Sequence, residues 1–211
     1  MRSRRNPKLD AGIGQWPEQS GAPAIGAALA DLPPGVAIKD LAPHVDDRGV
    51  FIEVHRDAWL TGDRPVQWNA VRSKANVLRG VHVHRHHADQ IVVIDGIMLL
   101  GLHDVRRDSP TRGQSIVVEL TGRAPRAVTI PPGVGHGFFF PEPSLHIYAV
   151  SHYFNPEDEL GCRFDSPELG LKWPVSTPHL SKRDAEAGSY SEMVAGFLGI
   201  GSRRKAVSVA R

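Results

Sequence analysis

Arg79-Gly80-Val81-His82-Val83-His84-Arg85-His86-His87-Ala88-Asp89-Gln90 holds four of the chain's eleven histidines within six residues. His82 and His84 stand two apart. On a β-strand successive side chains alternate, so both rings point to one face. Asp89 follows five residues after His84, and Gly96 lies seven beyond Asp89. A further histidine, His136, arrives in Pro131-Pro132-Gly133-Val134-Gly135-His136-Gly137-Phe138. Were the two stretches to lie on converging strands, they would bring imidazoles and a carboxylate into one interior.

Working outward, the pattern on both sides is of short strands. Val36–Leu41, Val50–Val54, Gln67–Arg72, Val77–Val83, Gln90–Ile94, Ile97–Leu102, Ser115–Leu120, Ala127–Ile130, Gly137–Phe140 and Leu145–Tyr153 read as strands separated by Gly, Pro and Asp turns. Gln90–Ile94 is apolar enough to be buried on both faces. Asp95-Gly96 reads as a two-residue hairpin turn. Helical character is confined to Ser181–Asp184 and Ser191–Leu198, after Trp173-Pro174. Many short strands with no helix between them predict an all-β sandwich or barrel. The two half-motifs, G-x-H-x-H at 80–84 and P-x-G-x-x-H at 131–136, resemble the cupin signature. That resemblance implies a cupin-type (jelly-roll) antiparallel β-barrel with short C-terminal helices. Residues 1–34, without sustained period and rich in Gly, Ala and Pro, read as a disordered tail. The barrel is expected over 35–190, with a short helix and a basic tail over 191–211.

At 211 residues the chain suits one domain with a sizeable core. Its formal net charge of +2 is uneven. Setting aside the eight basic and one acidic residue of segments 1–10 and 201–211 leaves 17 basic against 22 acidic residues. The basic character lies in the tails, which argues against nucleic-acid binding by the fold. No apolar run reaches membrane-spanning length and no signal-peptide core follows Met1. With Cys162 as the sole cysteine no internal disulfide can form. Both features fit a cytoplasmic protein.

Between about Leu32 and Ala187 the chain also resembles the dTDP-4-dehydrorhamnose 3,5-epimerases. The matching pieces include Asp47-Arg48-Gly49-Val50-Phe51-Ile52-Glu53, Gln67-Trp68-Asn69, Leu78-Arg79-Gly80-Val81-His82, Asp108-Ser109-Pro110-Thr111, Pro132–Phe138, Tyr148, Leu171-Lys172-Trp173-Pro174 and Leu180–Asp184. Inverting a carbon beside a ketone needs a base to remove an α-proton and an acid on the other face to return one. The resemblance implies His82 as base, Asp184 as its partner and Tyr148 as acid. It places Arg48 and Arg79 at the diphosphate, and Phe51, Glu53, Gln67 and Asn69 around the nucleotide. His136 becomes a second active-site histidine. It implies a dTDP-sugar substrate, no metal or organic cofactor, and a homodimer, which strand exchange near the N-terminus would explain. Bland readings stand beside these: Arg48 closing its turn, Phe51 and Tyr148 as packing residues, Asp184 as part of a helix cap.

Two departures from the family matter. Asp89 stands where the family usually carries a lysine that holds the enolate's negative charge. His84 stands where a glutamine or another non-histidine residue is usual. One expectation follows: His84, protonated, substitutes for the missing lysine. Three other readings remain open. His82, His84, Asp89 or Gln90, and His136 could bind a divalent metal. R-G-x-H-x-H followed by Gln90 also resembles the sugar-nucleotide 3,4-ketoisomerases. The last is a non-catalytic sugar-binding barrel.

Overall fold

The computed structural model describes residues 31–59 and 62–199, so the tails read from sequence at 1–30 and 200–211 lie outside the described residues. The strands are β1 (Ala37–Asp40), β2 (Pro43–Asp46), β3 (Gly49–Ile52), β4 (Gln67–Ser73), β5 (Val77–Val83) and β6 (Asp89–Asp95). They continue as β7 (Ile97–Asp104), β8 (Ser115–Thr121), β9 (Arg126–Ile130), β10 (Val134–Phe140), β11 (Ser144–Val150) and β12 (Leu160–Gly161). Helices α1 (Lys182–Ala185) and α2 (Tyr190–Phe197) follow. One antiparallel sheet has the order β1-β9-β6-β11-β4, and the other β12-β5-β10-β7-β8. β2 and β3 form a separate two-stranded ladder.

The two sheets close on one core. Ile91 and Val93 of β6, with Val128 and Ile130 of β9, meet Met98, Leu100, Leu102, Val118, Leu120 and Phe140 from the other sheet. Each of these side chains, fully buried, contributes about 1.5–3 kcal/mol. β6 is covered on its other face too, where Val92 packs with Leu41 and Ala127, flanked by Ile52, Val54 and Trp59. That is why its sequence is an unbroken apolar run rather than an alternating one. The architecture is the expected jelly roll. No ladder among the described residues joins the two sheets, so the barrel is a two-sheet one.

The Asp95-Gly96 hairpin is overturned. β6 pairs with β9 and β11, while β7 pairs with β8 and β10. Gly96, at φ +79°, is a corner where the chain leaves one sheet for the other. A Cβ there would lie 2.5 Å from the Pro143 carbonyl oxygen. The turn chemistry was legible, but each strand's ladder goes to partners remote in sequence.

At the C-terminal end, Ser181 caps α1 by accepting from the Asp184 N–H, and Ser189 opens α2 with a reciprocal capping box to Glu192. Met193, Val194 and Phe197 of α2 pack against Val81, Val83, Val105, Cys162 and Leu169, behind β5.

Candidate active site

Between the sheets lies a cavity of about 270 Å³. β5 and β10 supply Arg79, His82, His136 and Phe138 from one side. β4, β6 and β11 supply Gln67, Val71, Asp89, His146, Tyr148 and Val150 from the other. The loop after β5 adds His84 and His87, and Ser181, Arg183 and Asp184 close one edge. Arg79 and His82 are three apart and on a regular strand would face opposite ways. Here the β5–β10 register shifts between His136 and Phe138, which pair with His82 and Arg79. Gly80 sits at φ +108° in that irregularity, and a Cβ on it would come 2.7 Å from the His136 carbonyl oxygen. Glycine therefore allows both side chains to reach the cavity.

His82 Nε2 lies 2.7 Å from Asp184 Oδ1, across 102 positions of sequence. The other carboxylate oxygen accepts from the Ser181 hydroxyl at 2.8 Å. Ser181 thus caps α1 and fixes Asp184 at once, so the cap and partner readings of Asp184 are both true of its geometry. Burial works to raise this carboxyl. The His82 hydrogen bond and charge, with Ser181 and Arg183, outweigh it and hold Asp184 below the usual carboxylate range. An ionised Asp184 accepts a hydrogen bond from Nε2–H and leaves Nδ1 as the ring's unprotonated nitrogen.

The remaining histidines form a second cluster. His84 stacks on His87 with ring centroids 3.8 Å apart and tilts against His136 at 5.2 Å. Asp89 points inward among them. Its Oδ2 lies 3.6 Å from His136 Nε2 and 3.8 Å from the Nε2 atoms of both His84 and His87. Burial, then repulsion from His136 and His87, drives His84 down to about 2, and burial takes His136 to about 3. Burial, then the Glu159 and Asp158 carboxylates, pushes Asp89 well above its usual range. His84 is therefore neutral at physiological pH. The expectation that it carries a compensating positive charge fails, because a buried ring beside two other imidazoles cannot hold a proton cheaply.

Tyr148 faces the cavity from β11. Burial, then Asp89 and Glu159, raises its phenol, which keeps the proton an acid must hold. Arg79 donates to Ser73 Oγ through Nε at 3.3 Å and, among the described residues, has no carboxylate partner within salt-bridge distance. Gln67 donates to Asn69 Oδ1 at 3.1 Å and accepts from the Phe154 N–H at 3.1 Å. Asn69 shares its face of β4 but does not line the cavity, and its Nδ2 is buried without a partner among the described residues. Arg48, Phe51 and Glu53 lie outside this cavity. Arg48 is tied to Asp46, Glu53 to Arg56, and Phe51 is 63% exposed. Sequence reasoning missed His146, Glu159 and Arg183. His146 was accessible by alternation, two residues from Tyr148 on the same face. Arg183 adjoins Asp184 and pairs with Glu159 at 2.9 Å. Glu159 sits just before β12 in a segment without periodicity.

The family model for dTDP-4-dehydrorhamnose 3,5-epimerase matches residues 32–192. The chain is 34% identical over 164 residues to "dTDP-4-dehydrorhamnose 3,5-epimerase" of Salmonella typhimurium, covering 73% of this chain and 90% of that protein. It is 35% identical over 152 residues to "dTDP-4-dehydrorhamnose 3-epimerase" of Streptomyces niveus, covering 67% and 73%. Among solved structures it resembles NovW, a 4-keto-6-deoxy sugar epimerase of Streptomyces spheroides, with a TM-score of 0.71, 30% identity and coverage of 80% and 88%. It also resembles the Legionella pneumophila 3,5-epimerase in complex with dTDP-4-keto-L-rhamnose, with a TM-score of 0.69, 31% identity and coverage of 75% and 92%. Over three quarters of its length, the chain belongs to the dTDP-4-dehydrorhamnose 3,5-epimerase family.

Proposed function

We propose that the protein is a sugar-nucleotide epimerase acting on a dTDP-4-keto-6-deoxyhexose in deoxysugar biosynthesis. The observation that carries this is the His82–Asp184 pair at 2.7 Å, set in a cavity that Tyr148 enters from the opposite sheet. His82 Nδ1 takes a proton from a carbon beside the ketone, and Asp184 stabilises the imidazolium that forms. The electrons move into an enolate. Tyr148 returns a proton to the other face, which inverts the centre. Arg79, a cavity guanidinium without a carboxylate partner among the described residues, suits the diphosphate.

A cavity of about 270 Å³ holds the sugar but not the whole sugar nucleotide. The nucleotide end needs a further surface. The β2–β3 ladder carries Arg48, Phe51 and Glu53 away from this protomer's cavity, with Val45 61% and Phe51 63% exposed. A homodimer in which that ladder reaches the partner's cavity accounts for both facts.

Incubation with dTDP-4-keto-6-deoxyglucose in D₂O, followed by NMR, tests the reading. Deuterium at C3, C5 or both with an inverted centre is expected. Exchange with no inversion, or keto-group migration to the adjacent carbon, would replace it with the ketoisomerase reading. No exchange at all would leave a binding barrel. Light scattering tests the dimer, which a monomer at micromolar concentration would rule out.

A further inference from the structure

The histidine cluster around Asp89 has a hydrogen-bond pattern that the acid–base pair does not explain. His84 Nδ1 faces the Asp158 backbone carbonyl at 3.3 Å, and His136 Nδ1 faces the Val134 carbonyl at 3.1 Å. A carbonyl only accepts, so in both rings Nδ1 carries the proton. His87 Nδ1 lies 3.2 Å from Asp158 Oδ2, which likewise accepts. Neutral imidazole has one N–H, so all three Nε2 atoms are bare lone pairs. All three aim at one oxygen, Asp89 Oδ2, at 3.6–3.8 Å. These separations exceed a hydrogen bond of about 2.7–3.2 Å. A single proton on Asp89 can satisfy only one of the three nitrogens.

Bare imidazole nitrogens gathered around one buried carboxylate suit a cation. Metal-ligating imidazoles characteristically donate their second nitrogen to a carbonyl or carboxylate, as these three do. A tetrahedral ion with bonds of about 2.0–2.2 Å has its donors about 3.3–3.6 Å apart, and the His84–Asp89 and His136–Asp89 separations of 3.8 and 3.6 Å come within a few tenths of an ångström of that. His84, Asp89 and His136 place their donor atoms within 4.8 Å of one another, and all three are buried. A second group, His84, His87 and Asp158, is equally close. There, however, the oxygens of Asp158 already accept from the Arg85 and His86 backbone N–H groups and from His87. The open lone pairs are on the Asp89 side. His82, included in the ligand set read from sequence, falls in neither group, and its free Nδ1 serves the acid–base pair with Asp184.

We propose that His84 Nε2, His136 Nε2 and Asp89 Oδ2 hold a first-row divalent transition-metal ion. Imidazole nitrogens select such ions over magnesium or calcium. The site goes beyond the epimerase reading and does not depend on it.

Untagged protein stripped with a chelator and titrated with cobalt(II) tests it directly. One equivalent should bind and develop visible d–d bands. Thiolate charge transfer should be absent, because Cys162 is not among the ligands. Elemental analysis after gel filtration should give one metal per chain, and the Tm should rise with cobalt. Asp89→Asn and His84→Ala should each weaken uptake by more than about tenfold. His86→Ala, at an exposed ring outside the cavity, should leave it unchanged. A wild-type protein that takes up no stoichiometric cobalt overturns the proposal even if a variant fails to fold. So does uptake undiminished in folded Asp89→Asn and His84→Ala. Deuterium exchange into the keto-sugar, measured separately, reads the epimerase reading alone.

Discussion

Replacing Asp184 with asparagine tests the acid–base pair most sharply. The carboxylate is 5% exposed and accepts from His82 Nε2 at 2.7 Å and from Ser181 Oγ at 2.8 Å. Asparagine is isosteric and keeps an oxygen for Ser181. It then turns its NH₂ toward His82 Nε2. Two N–H groups cannot face each other at that distance, so the ring must move its proton to Nδ1. The nitrogen that should take the substrate proton is then occupied. Loss of general-base help costs about 10²–10⁴ in rate, or about 3–5 kcal/mol in the barrier at about 1.4 per decade. The assay is the initial rate of solvent deuterium incorporation into the 4-keto sugar, with KM measured alongside. kcat should fall by that factor while KM holds, since Arg79 and the cavity wall are untouched. ¹⁵N NMR of His82 should show the proton on Nδ1 instead of Nε2. A folded Asp184→Asn enzyme within about tenfold of the parent rate would refute the pairing argument.

Tyr148→Phe should lower inverted product by about 10²-fold or more, while proton abstraction by His82 continues and deuterium still enters with retention. NMR of the recovered sugar distinguishes the two. Asp104 is fully buried and accepts from Arg106, Ser109 and Thr111 at 2.6–2.9 Å. Burial alone would raise its carboxyl, but these donors hold it well below its usual value. Its stabilisation is therefore full above the ordinary aspartate range and is lost as pH falls through the lower folded value. Asp104→Ala should cost about 3–5 kcal/mol in urea unfolding at neutral pH, and the deficit should shrink in strong acid. Asp89→Asn in chelated protein should keep or raise the Tm. Its NH₂ can donate to a bare Nε2 for about 0.5–1.5 kcal/mol, which corresponds to a few degrees in a domain of this size.

Much of the fold was legible because the strands alternate or run apolar between turn residues. β6 declared its double-sided burial as an unbroken run from Gln90 to Ile94. β2 did not declare itself: Pro43-His44-Val45-Asp46 has one aliphatic residue, and its partner β3 supplies the ladder. Sheet membership was also hidden, since the Asp95-Gly96 corner has the chemistry of a hairpin. In the site, His82 and His84 were readable as one face. That Arg79 joins them was not, because it depends on the Gly80 irregularity. Asp184 came from the resemblance, since nothing local links it to a histidine 102 residues away. Asp158 and Glu159 come from an aperiodic segment, and the part of Asp158 in orienting His84 and His87 exists only in three dimensions.

Two buried aspartates in one cavity meet opposite conditions, and the difference is one of donors. Asp184 is reached by an imidazole N–H and a hydroxyl, so its charge is met where it forms. Asp89 is as deeply buried, yet the three rings around it present lone pairs. Their protons are spent on the Asp158 and Val134 oxygens, so the tautomers of the cluster are set from behind. This separation keeps the cavity's chemistry divisible. The His82–Asp184 pair is wired to α1 through Ser181. The Asp89 cluster is wired to the segment before β12 through Asp158. A change at Asp184 should therefore move the proton on His82 without disturbing the three histidines. A change at Asp89 should alter what those histidines bind while leaving the 2.7 Å pair intact.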